Sequence, residues 1–81
     1  MDNKEELERK LNELADKFAE GISTLIRSIN NKEKIIEFLK GMKNQLPIEI
    51  LKRINKIAIE KEDYETCDAL KEYSTERGLT L

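Results

Sequence analysis

The sequence contains no histidine. Serine–histidine and cysteine–histidine nucleophile arrangements and the usual zinc ligand sets are therefore excluded. Its single cysteine, Cys67, has no partner for an internal disulfide, which makes a reducing, cytoplasmic setting the expectation. The three glycines, Gly21, Gly41 and Gly78, stand alone, so no glycine-rich phosphate loop is present. Apolar runs stop at two or three residues, so neither a membrane span nor a signal peptide is expected. There is one proline and no tryptophan.

Charge is plentiful. Of the 81 residues 40% are charged and 38% hydrophobic, a balance that suits amphipathic helices with solvated outer faces. A chain of this length makes one domain with a small core, so every apolar face matters. The net charge of −2 is unevenly spread, with Lys and Arg in excess over residues 32–61 and Asp and Glu over residues 62–81. A basic middle between acidic ends ties a bundle together. The alternative reading is a weak nucleic-acid surface using Lys40, Lys43, Lys52, Arg53 and Lys56, without an arginine cluster or stacking aromatics beside it.

Periodicity predicts four helices, about 3–29, 32–44, 47–61 and 64–77. In the first, Leu7, Leu11, Leu14, Phe18, Ile22, Leu25 and Ile29 follow three- and four-residue steps, and the eleven-residue spacing Leu7–Phe18–Ile29 keeps one stripe on one side. Asp2 or Asn3 is the expected cap, and Gly21 marks a bend, a close contact or a break. Asn30 with Glu33 is a plausible cap pair for the second helix, whose apolar face is Ile35, Ile36, Phe38, Leu39 and Met42. Pro47 starts the third, with Ile50, Leu51, Ile54, Ile57 and Ala58 buried. Asp63 caps the fourth, Tyr64, Cys67, Leu70 and Tyr73 form its inner face, and Gly78 stops it. No stretch alternates with period two. The fold class expected is all-α, a small antiparallel bundle of about four helices in a single domain.

No catalytic residue, cofactor or metal is expected. The acidic cluster Glu60, Glu62, Asp63, Glu65 and Asp68 lacks the spacing of a calcium loop and reads as a solvated helix junction. Cys67 is either a thiol activated at a helix N-terminus or a small buried hydrophobe, and the second reading is preferred.

Residues 58–72, AIEKEDYETCDALKE, resemble the second half of the UVR motif, the helical hairpin of the bacterial excision-repair proteins UvrB and UvrC. Ala58 and Ile59 fall on the small pair before the turn, Tyr64-Glu65 on the Phe-Glu, and Cys67 and Asp68 on the second small pair. Leu70 falls on the leucine and Lys71-Glu72 on the Arg-Asp, while Ile59 and Asp68 depart from small apolar residues. In size, residue usage and four-helix pattern the whole chain is also similar to small phage proteins encoded beside the UvsW recombination helicase of T4-like phages. These resemblances imply a protein–protein contact and an accessory role near DNA repair or recombination.

The function expected first is a non-enzymatic interaction module. Its partner surface is the last hairpin, with Tyr64 and Tyr73 as exposed anchors and Glu65, Asp68 and Glu72 as an acidic rim. The partner would be another protein, a repair or recombination factor, with no membrane and a monomer or weak homodimer in solution. The alternatives are the nucleic-acid accessory described above and a structural protein that self-associates through its N-terminal stripe.

Overall fold

A computed structural model describes residues 3–81. Four α-helices account for most of them, and among the described residues no strand forms. α1 runs Asn3–Ile29, α2 Lys32–Lys40, α3 Ile48–Glu60 and α4 Tyr64–Glu76. The expected cap Asp2 lies outside the described residues, and Asn3 is already helical. α1 continues through Gly21 without a break.

The ends of the helices follow their local chemistry. Asn31, not Asn30, caps α2, its side chain accepting the Lys34 N–H at 3.0 Å. Asn30 takes the left-handed position that closes α1, with φ of 45°. α2 stops at Lys40, short of the expected residue 44. The side-chain amide of Gln45 donates to the carbonyls of Lys40 at 3.3 Å and Met42 at 2.7 Å, so these groups need no further helical turn. Pro47 sits just outside α3 rather than in its first turn. Its carbonyl accepts the N–H groups of Ile50 and Leu51. Asp63 caps α4 through the Thr66 N–H at 3.3 Å and also accepts the Thr66 hydroxyl.

Two helices end in the same device. After α3 the Asp63 N–H reaches Ala58 O at 2.8 Å and the Glu62 N–H reaches Ile59 O at 3.1 Å. After α4 the Leu79 N–H reaches Ser74 O at 2.8 Å and the Gly78 N–H reaches Thr75 O at 3.0 Å. Both are Schellman closures, which place one residue in the left-handed region. That residue is Gly78 after α4 and Glu62 after α3.

The core is drawn from all four helices. Ile22 and Ile26 come from α1, Ile35, Ile36 and Leu39 from α2, Ile50, Leu51 and Ile54 from α3, and Ala69, Leu70 and Tyr73 from α4. Leu46, in the loop before α3, joins them. α1 packs mainly on α3 and α2 on α4, while α3 and α4 form a hairpin. The first two pairings run in the same sense. Arg53 meets Asp16, and further along Ile57, Glu60 and Lys61 share a groove with Ser23, Thr24 and Arg27. Likewise Lys32 meets Glu65 and Glu72, and Lys40 meets Glu76. The molecule measures 47 × 25 × 21 Å. Its length is that of α1, since a helix of 27 residues spans about 40 Å.

Candidate interaction surface

The apolar residues of α1 divide into two sectors. Ala19, Ile22, Ser23 and Ile26 are buried against the bundle, flanked by partly buried Ala15 and Ile29. Leu7, Leu11, Leu14, Phe18 and Leu25 are exposed, from 50% for Phe18 to 63% for Leu14. At 100° per residue the inner sector lies about a quarter-turn from the outer one. The sequence stripe is therefore two rows read as one. Ile22 faces inward, and what remains outside is spaced 7, 11, 14, 18 and 25, with Gly21 completing steps of four and three. That is a seven-residue repeat, the spacing of a coiled-coil seam. A Cβ on Gly21 would meet nothing within 4 Å, so the seam is also open there.

The N-terminal half of α1 stands clear of the bundle. None of residues 3–14 is buried. The bundle reaches toward it through Arg53, whose guanidinium donates to Asp16 at 3.1 Å and Asn12 at 3.2 Å. An isolated helical stretch of that length is marginal in water, and the three exposed leucines on it, with Phe18 and Leu25 beyond, are an unfilled demand for burial.

The hairpin surface expected from the sequence is only partly assembled. Tyr64 is 65% exposed, but Tyr73 is 1% exposed and cannot serve as a surface anchor in this fold. Nine residues are two and a half helical turns, so these two tyrosines lie on opposite sides of α4. A row spaced by threes winds around a helix rather than staying on one face. The buried face is accordingly Thr66, Ala69, Leu70, Tyr73 and Ser74. Two of the acidic residues are turned to α2: Glu65 accepts the Lys32 backbone N–H at 3.1 Å, and Glu72 lies 3.8 Å from the Lys32 ammonium. Tyr64 and Asp68 border an open groove of about 510 Å³ between α3, α4 and the C-terminal tail, shared with Ile59, Cys67, Leu79 and Leu81.

Cys67 is partly buried in the first turn of α4. Burial, and then the carboxylates of Asp63 and Asp68, push its thiol above the ordinary range, against any activation by the helix end. Within the acidic cluster Asp63 caps α4, Glu65 accepts the Lys32 N–H and Asp68 borders the groove, and among the described residues no group of three or more potential ligands gathers to hold a metal.

Two of the five basic residues considered for nucleic acid are engaged within the fold. Lys40 lies 2.7 Å from Glu76, a hydrogen bond that raises its pKa, and Arg53 is held by Asp16. Lys56 lines a shallow groove whose other members include Asp16, Glu20 and Glu60, so negative charge interrupts any basic track along α3.

Among the described residues no helix is long and apolar enough to cross a membrane. No family model, curated protein or solved structure matches this chain.

Proposed function

We propose that this protein is a non-enzymatic interaction module that works by burying the outer row of α1 against another polypeptide. One observation carries the reading: Leu7, Leu11, Leu14, Phe18 and Leu25 share one exposed face of a helix whose packing face lies elsewhere. A monomer gains nothing from holding these side chains in water. Covering them releases the hydration cost of five large apolar groups, each about half exposed. The resemblance of residues 58–72 to the UVR hairpin supports the same class of activity, helix-to-helix contact. It makes DNA repair or recombination the first setting in which to look for partners.

The test replaces Leu11 and Phe18 together by Ser. Both are exposed, so the domain retains its helical circular dichroism and, at dilutions where the wild type is unassociated, its melting temperature. The variant loses every association the wild type shows, with itself in purified form or with other proteins of the native host. Retention of those associations by the folded variant overturns the proposal.

A further inference from the structure

Resting on that reading, we infer that the occupant of the outer row is a second copy of this chain, laid antiparallel along α1. Four observations converge on it.

The first is shape. The seam positions 7, 11, 14, 18, 21 and 25 are separated by steps of four, three, four, three and four, a pattern that reads the same in both directions. A two-fold axis crossing α1 at residue 16 sets Leu7 against Leu25 of the second copy and Leu14 against Phe18 of the second copy. Leu11 then faces Gly21 of the second copy, where the space above the glycine accepts a leucine side chain. Every apolar member of the row finds an apolar or open position. A parallel, in-register pair would instead set Gly21 against Gly21 and leave a gap in the seam.

The second is charge. Beside the seam, on the side away from the bundle, run Glu6, Lys10, Glu13, Lys17 and Glu20, alternating in sign. About the same axis Lys10 lies two residues, about 3 Å along the helix, from the level of Glu20 of the second copy, within reach of its long side chain, and Glu13 and Lys17 of both copies gather near the centre as a neutral cluster of four. Lys10 already lies 3.7 Å from Glu6 on its own exposed helix face, within reach of the neighbouring chain. The parallel arrangement offers no such match. It would place Lys10 and Lys17 near Ala15 and Ile22 of the second copy, residues that α1 turns toward its own bundle.

The third is area. The five side chains present on the order of 500 Å² of apolar surface, at the upper end of the largest patch on an ordinary monomer. Two copies bring together on the order of 1,000 Å², about what a specific interface requires. The fourth is access. Leu7, Leu11 and Leu14 lie on the stretch that stands clear of the bundle, and the packed half begins near Ala15. The two bundles therefore attach at opposite ends of the helix pair. The contact is isologous, so it closes at two copies and does not propagate.

Sedimentation equilibrium of the full chain across a concentration series provides the test. The wild type is expected to dimerise and Leu14→Asp to remain monomeric with unchanged helical content. Lys10→Glu weakens the dimer roughly tenfold by setting like charges within reach of each other, and adding Glu20→Lys in the same chain restores it. Orientation is read by oxidation in a Cys67→Ser background. Leu14→Cys chains cross-link with Phe18→Cys chains and not with one another. A wild type that stays monomeric at millimolar concentration, a charge swap without rescue, or efficient Leu14→Cys self-linkage overturns the inference. Should the wild type be monomeric while the Leu11 and Phe18 double variant still loses a host partner, the second-copy assignment falls and the interaction module stands.

Discussion

Tyr73, buried in α4, donates its phenolic hydrogen to the side-chain carbonyl of Gln45 in the loop between α2 and α3. The same Gln45 closes the end of α2 with its amide nitrogen. Arg77 completes the junction, its guanidinium 5.4 Å from the Tyr73 ring centre and donating to Leu46 O at 2.6 Å. One tyrosine hydroxyl thus fixes the loop that carries the chain from α2 to α3. Tyr73→Phe keeps the ring in the core and removes the hydrogen bond. The expected cost is about 1 kcal/mol, read as a lower urea midpoint with an unchanged slope. Tyr73→Ala also empties a core site and costs about 3–5 kcal/mol, enough to unfold a domain this small.

The two Schellman closures give a controlled comparison within one molecule. Glu62 holds φ of 56° where an L side chain is strained, whereas Gly78 holds φ of 72° without that strain. Glu62→Gly is expected to stabilise the protein by about 0.5–1 kcal/mol. Gly78→Ala meets no neighbouring atom but must adopt the left-handed backbone, and destabilises by about 1 kcal/mol. Thermal melts of both variants, shifting in opposite directions, check the pair.

Amide exchange separates the two halves of α1. Residues 4–14 of the dilute chain exchange far faster than residues 19–29, because none of them is buried while Ala19, Ile22, Ser23 and Ile26 are. Arg53→Ala removes the contacts to Asp16 and Asn12 and speeds exchange just before Ala15. Its effect on global stability is no more than about 1 kcal/mol, since Asp16 is well exposed to solvent.

Thiol chemistry follows from the position of Cys67. Its pKa lies above the ordinary value through burial and the nearby Asp63 and Asp68 carboxylates, so the thiolate is scarce near neutral pH. Labelling by iodoacetamide is expected to be slower than for a free thiol at pH 7.5 and to keep rising at pH values where the free thiol has levelled off. Asp68→Asn removes one repelling charge and speeds labelling at neutral pH.

Much of this architecture was legible in the residues themselves. The punctuation at Asn30-Asn31, Pro47, Asp63 and Gly78 divides the chain where the helices divide, and the inner faces of α2 and α3 follow from their isoleucine and leucine spacing. The exposed outer row of α1 was harder to read, for a physical reason. The inner face of α1 is lined partly by Ala15, Ala19 and Ser23, small residues that let α3 approach closely but add little to a hydrophobic pattern. The larger leucines dominate that pattern and face outward. A row of small residues four apart beside a row of large ones was the available signal. A three-residue spacing turns about 60° per step, so the row from Tyr64 to Tyr73 is not one face: Tyr73 is buried beside Leu70 as an inner-face residue and is lost as a surface anchor, whereas Tyr64, expected on that inner face, is exposed.

The same-sense pairing of α1 with α3 and of α2 with α4 has a consequence for synthesis on the ribosome. Arg53 reaches back to Asp16, and Glu72 to Lys32, so the partners of the first two helices emerge last. A nascent chain halted before residue 48 carries α1 and α2 with neither their core partners nor a hairpin to receive them. Folding must wait for α3 and α4 to leave the exit tunnel, and until then two greasy flanks of α1, not one, are open to chaperones.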